Sequence, residues 1–322
     1  VLLKIYRTNQ PLVLVLLPII TLILWFPSLG KSPSLKLINT TFVFDFIVPS
    51  SIYFNQLLAI GILLMSAFIL NNTINKNEFF HQNLYLPSFL YVLFFSASPQ
   101  LHYLHPILIG NFFLILAFRR LVNIHSQVGC KSEVFDATFL LLIGGLFYPP
   151  ILTFIPLSWI ALFIIRPFVW KEWAVPLLAI AIFLVYYFSS FLFIENVPIY
   201  TLSQTLESSL YLNVEYSIPF LITSFFSSIF FAMGLYQIYQ KRKSSTIRFK
   251  KMISSISAFF FWGLIIFIAI FIATFSFEFL FMLSVPIIIA MTYFFIYFKK
   301  NLVAEIGLSL LFVLVLVNCY LF

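Results

Sequence analysis

Few side chains in this sequence are equipped for chemistry, and the most suggestive is a lone acid. Asp45 sits in an alternating aromatic stretch, Thr41-Phe42-Val43-Phe44-Asp45-Phe46. A segment of that kind lies along a membrane interface, where desolvation raises a carboxyl pKa and suits it to act as a base. The same residues also fit an ordinary loop acid among lipid headgroups. Glu195, Glu207 and Glu215 share a second polar stretch, 195–216, with Tyr200, Tyr211 and Tyr216 and no basic residue. Tyrosines stack on sugars and carboxylates hold metals or sugar hydroxyls, while an aromatic belt with a polar hairpin explains the same composition. His102 and His105 would share one face of a turn, yet no third metal ligand adjoins them. No metal is assigned on that basis, and which cofactor the chain uses, if any, is not legible.

A different group of residues points to lipid headgroups. The segment Arg166-Pro167-Phe168-Val169-Trp170-Lys171-Glu172-Trp173 joins Trp170 and Trp173 to Arg166 and Lys171. Such a set anchors a helix junction at the interface and can grip a lipid phosphate. Asp136 is expected to cap a helix N-terminus. The basic run from Lys241-Arg242-Lys243 to Lys250-Lys251 would attract anionic lipid or simply set topology. Gly-rich phosphate loops, zinc motifs and serine-nucleophile elbows are absent from the sequence.

The elements that must position these groups are membrane helices. Of 322 residues, 62% are hydrophobic and 9% charged, against about 25% charged in soluble domains. No polar stretch is long enough to form a soluble domain, so the chain reads as a single integral membrane domain, 1–322. A span needs about 20 apolar residues. Candidates are 11–29, 55–73, 84–98, 106–120, 136–149, 151–166, 174–194, 217–240, 252–275, 279–298 and 303–321, which predicts an all-α bundle of about eleven transmembrane helices. The stretch 136–166 breaks at Pro149-Pro150, and reads either as two short helices or as a re-entrant hairpin. Lys4 and Arg7 before the first apolar run resemble a signal peptide, but no small-residue cleavage site follows, so a retained helix is expected.

The basic residues set the direction. With the N-terminus inside and the C-terminus outside, sixteen of the 18 Lys and Arg fall on inner segments, leaving Lys31 and Lys36 outside. That division obeys the positive-inside rule, and explains the net charge of +8 without nucleic acid as a partner. Cys130 and Cys319 stand too far apart in this topology for a disulfide to be expected. No carboxylate lies near the centre of a span, which counts against a proton-coupled pump. No internal repeat is evident, which counts against the commoner secondary transporters.

Two resemblances bear on function. The residues Phe135-Asp136-Ala137, Gly144-Gly145-Leu146-Phe147-Tyr148-Pro149, Arg166-Pro167-Phe168 and Trp170-Lys171-Glu172-Trp173 resemble an uncharacterised family of multi-pass membrane proteins in Bacteroidota. That likeness implies a bacterial inner (cytoplasmic) membrane location and lends no activity. The layout also resembles GT-C-type glycosyltransferases, in which one crossing leads to an acid in a first outer loop, here Asp45. That resemblance implies an envelope enzyme acting on polyprenyl-phosphate-linked sugar, with Asp45 as base and Glu195, Glu207 or Glu215 assisting with a metal or the sugar. Where the family often has a second acid in the next outer loop, this chain has His102 and His105. The alternatives are a lipid or glycolipid translocator, and a non-enzymatic subunit that packs against other membrane proteins.

Overall fold

The computed structural model describes residues 3, 6, 12–31, 51–124, 129–193, 218–243, 245–274 and 278–321. Asp45, Glu195, Glu207 and Glu215 lie outside them. Among the described residues there is no strand. Eleven helices of nine residues or more follow one another among the described residues: α1 Leu12–Trp25, α2 Ile52–Lys76, α3 Leu86–Ser96, α4 Pro106–Asn123, α5 Lys131–Phe147, α6 Leu157–Ile165, α7 Val175–Phe193, α8 Ile218–Lys243, α9 Ile247–Thr274, α10 Ser284–Tyr297 and α11 Asn301–Leu321. Each overlaps one of the stretches expected as a span. Seven stretches are long and apolar enough to cross a membrane: α2, α4, α8, α9, α11, α7 with the turn before it, and α10 with the 3-10 turns before it. The physical reason is general: lipid offers no partner for backbone N–H and C=O, so a spanning segment must bond them within itself.

Charge sorts the bundle into two ends. Among the described residues every Lys and Arg except Lys31 stands at or near one set of helix termini, hereafter the basic end. Polar contacts knit that end together: Arg120 pairs with Asp136 at 3.3 Å, Lys251 donates to the Ile165 carbonyl at 2.8 Å, and Lys241 donates to the Tyr297 hydroxyl at 2.6 Å. Asp136 was expected as a helix cap, and here the structure corrects the sequence reading. Helix α5 begins at Lys131 behind Cys130 as N-cap, so Asp136 lies in its second turn and meets Arg120 instead.

Helix ends follow from local chemistry. Proline cannot donate a backbone hydrogen bond and forces the residue before it out of helical geometry. Tyr148 accordingly sits at φ −138°, ψ 94°, closing α5 before Pro149-Pro150. The chain turns there and returns through 3-10 turns, Pro149–Phe154, and α6 to the basic end. The stretch 136–166 is thus a helical hairpin with both flanks at one end, as both sequence alternatives require. It closes against α4 because Gly110 has no side chain to collide with Tyr148 and Ile151. Helix α2 ends in a Schellman motif: Phe79 N–H donates to Ile74 at 3.3 Å and Glu78 N–H to Asn75 at 3.1 Å. Its left-handed position, φ 55°, is held by Glu78 rather than glycine. Left-handed geometry costs an L-residue about 1 kcal/mol or more, so Glu78→Gly should raise unfolding free energy by about that amount in a thermal or denaturant melt.

The centre of the bundle is α10, buried from Ser284 to Phe295, with the equally buried α3 beside it. Asn111 of α4 joins them: its Nδ2 donates to Ser284 Oγ at 2.9 Å and to the Tyr91 hydroxyl at 3.2 Å. Such bonds between membrane helices contribute on the order of 1 kcal/mol each and fix register.

Candidate functional site

At the end opposite the basic one, polar side chains build a platform between the first helices. Gly30 N–H donates to Gln56 Oε1 at 3.0 Å, and Gln56 Nε2 donates to the Ser28 carbonyl at 2.7 Å. Residues 30 and 56 flank the stretch that carries Asp45, so both of its stems are tied to one another. Gly30 is left-handed, φ 77°, with the Tyr53 ring where a side chain would stand. Asn55 Oδ1 accepts the Leu104 N–H at 2.7 Å, which couples this platform to the α3–α4 connection.

His102 lies beneath, buried and stacked on Trp25 with ring centroids 4.5 Å apart. Its Nε2 faces the Ser96 carbonyl at 3.2 Å and its Nδ1 faces Ser28 Oγ at 2.9 Å. A carbonyl only accepts, so the proton sits on Nε2, and the single Ser28 hydroxyl proton is shared between Nδ1 and the Trp25 carbonyl, 2.8 Å from Oγ. Trp25 Nε1 donates to Ser96 Oγ at 3.0 Å, completing the knot. His105 stands apart as the N-cap of α4, its Nδ1 accepting the Ile107 N–H at 3.2 Å. The two imidazoles therefore serve separate structural tasks and do not converge on a common point. Among the described residues no three His, Cys, Asp or Glu side chains gather as a metal would require.

Burial holds both rings neutral, pulling His102 from 6.5 down to about 3 and His105 down to about 4. An unfolded chain takes up these protons first, so stability is complete above the ordinary histidine pKa and falls as pH drops below it. Each ring should cost about 2 kcal/mol by about pH 5. Melts across that range should therefore show a steep acid loss that is shallower in His102→Gln. A flat wild-type profile would contradict this burial.

A cavity of about 180 Å³ lies between α8 and α9 in the half of the bundle nearer this end. Phe220, Phe231, Phe260, Phe267 and Leu283 make its walls apolar. Thr223, Ser224, Ser227 and Ser228 put a hydroxyl stripe along it, spaced by four so that they share one helix face. Thr223, Ser227 and Ser228 donate to carbonyls of their own helix, Phe220, Thr223 and Phe225, at 2.7–2.8 Å. Their oxygens keep lone pairs as acceptors. An apolar slot edged by acceptors suits a hydrocarbon chain that leads to a hydroxyl-rich group. The sequence signal was the pair of hydroxyl dipeptides, Thr223-Ser224 and Ser227-Ser228, within an otherwise apolar span, and it was missed.

The expected headgroup segment divides in two. Phe168, Trp170 and Lys171 point outward, with Trp170 72% exposed. Trp173 is half-buried and its carbonyl accepts from Trp159 Nε1 at 3.1 Å. Arg166 turns inward to Glu172 Oε1, at 3.3 Å, and to the Ile124 carbonyl, at 3.2 Å. The buried Cys130 thiol rests against Glu172, and burial with that carboxylate pushes its pKa up to about 12.

Fold and charge distribution define a helical, multi-pass membrane protein. Comparison with family models, with curated proteins and with solved structures finds no match to this chain.

Proposed function

We propose that this is an envelope protein of the bacterial inner membrane that handles a lipid-linked sugar, of the polyprenyl-phosphate class, at the outer membrane surface. The bundle would cross about eleven times with its basic end in the cytoplasm, as the positive-inside rule requires. The observation that carries the reading is the apolar cavity between α8 and α9 with its edge of hydroxyl acceptors, on the half away from the basic end. Transfer in the manner of GT-C glycosyltransferases gives Asp45 the role of base. It takes the acceptor hydroxyl proton as that oxygen attacks the sugar's anomeric carbon and the polyprenyl phosphate leaves. Glu195, Glu207 or Glu215 would assist with a metal or with sugar hydroxyls. The outward Trp170 and Lys171 suit a headgroup anchor, while Arg166 is engaged with Glu172.

Filling the cavity tests this. Purified protein in nanodiscs should bind polyprenyl phosphate, and Ser227→Trp should weaken that binding about tenfold. Equal binding by the two proteins would refute it. A strain carrying Asp45→Asn should lose the relevant surface glycan at normal protein level. Intact glycan there would remove the transferase step. A second reading, a lipid or glycolipid translocator, is favoured by one observation: α8 and α9 also border a cleft at the basic end.

A further inference from the structure

That cleft encloses about 300 Å³ where the end of α2 meets the α8–α9 turn. Lys241, Arg248, His81, Ser245 and Thr246 line it, with Glu78 and Asn77 on the α2 side. Lys241 is held in place, because its ammonium donates to the Tyr297 hydroxyl at 2.6 Å and lies 4.0 Å from that ring's centre. The rings of Tyr293 and Phe249 stand 5.4 and 5.6 Å from the same ammonium. Ring faces around a cation attract it and help to hold its position. Arg248 adds a guanidinium, whose planar fork matches two phosphate oxygens at once.

The geometry points to a phosphodiester-binding site in this cleft, with Lys241 and Arg248 holding the phosphate and Thr246, whose oxygen accepts the Phe249 N–H and whose own proton is not used there, donating to a free oxygen. Among the described lining residues Lys241 and Arg248 carry positive charge and Glu78 negative charge, a formal balance of one positive charge before His81 is counted. That matches the single negative charge of a phosphodiester better than a nucleotide or a phosphomonoester. Glu78 is positioned there by its left-handed backbone, φ 55°, an arrangement that tends to persist where function requires it. Its carboxylate would accept a hydrogen bond from the hydroxyl or ammonium that follows the phosphate. The site is independent of the lipid-linked sugar reading, since it lies at the other end of the bundle.

A lipid headgroup and a soluble phosphodiester share this chemistry, and the test separates them. Full-length protein would be studied in phosphatidylcholine nanodiscs doped with phosphatidylglycerol, with retained lipid read by native mass spectrometry. Glycerophosphoglycerol in the buffer provides the soluble arm. A Lys241→Gln/Arg248→Gln variant should lose about ten times in occupancy. An Arg242→Gln/Lys243→Gln variant removes equal charge outside the cleft and should keep it. Arg248→Gln alone should show an intermediate loss, which covers the case where removing Lys241 unsettles Tyr297. Retention of phosphatidylglycerol with this pattern supports a lipid source, and binding of glycerophosphoglycerol with this pattern supports a soluble one. Equal loss in both double variants, or no difference between them and wild type in either arm, would overturn the site.

Discussion

Gly234→Ala should destabilise the protein by about 3 kcal/mol or more, and Gly234→Leu should yield no folded monomer. Helix α8 crosses the central helix α10 at this residue, and a methyl group there would overlap the Ala290 carbonyl. The obstacle is backbone, which cannot swing aside as a side-chain tip can. Helix α8 would have to lift, opening voids along Phe230, whose ring stacks on Phe294 at 5.2 Å and tilts against Phe295 at 5.3 Å. Small residues at membrane helix crossings exist to permit that approach. Gly61 supplies the contrast, since nothing lies within 4 Å of the place a side chain would take. Gly61→Ala should be neutral or stabilise by up to about 1 kcal/mol through helix propensity. Thermal melts of the two variants in one detergent make the comparison. Similar losses at both positions would mean that α8 and α10 do not meet as described.

Arg166→Met should cost about 3–5 kcal/mol, and adding Glu172→Leu should restore most of it. The side chains are 18% and 10% exposed, so the pair is largely shielded from water. Removing the guanidinium leaves a buried carboxylate with the Cys130 thiol against it and no countercharge from Arg166. Removing both charges leaves apolar groups of similar size, which such sites tolerate well. The double-mutant cycle also separates two roles for Arg166. An arginine that held lipid phosphate would gain nothing from the loss of Glu172, and the second substitution would bring no recovery.

The helices were legible because their signal is large: long apolar runs separated by charges at one end and by prolines or polar loops at the other. Helix α5 was placed five residues short because Lys131 and Glu133 read as loop and Asp136 as the cap, whereas all three lie in its first two turns at the basic end. Pro149-Pro150 marked the hairpin correctly, since proline acts through local geometry alone. The site was less legible. His102 and His105 drew attention as a spaced pair, but the fate of His102 depends on Trp25, Ser28 and Ser96, which no spacing brings to it, while His105 caps its own helix. The same holds for Arg166, whose partner Glu172 lies six residues on and turns inward while Phe168 and Trp170 turn outward. The α8–α9 cavity needs walls from α3 and α10 as well, so its hydroxyl stripe reads as ordinary helix surface until those are in place.

Photo-crosslinking with a diazirine-bearing polyprenyl phosphate in nanodiscs, followed by peptide mapping, tests the central claim most directly. Labels on 220–231 of α8 and 260–267 of α9, competed by unlabelled polyprenyl phosphate and not by phosphatidylcholine, are the expected result. Labels scattered over the exposed faces of α7 and α11, or undiminished by the unlabelled compound, would mean that the cavity is not a seat for a lipid-linked substrate.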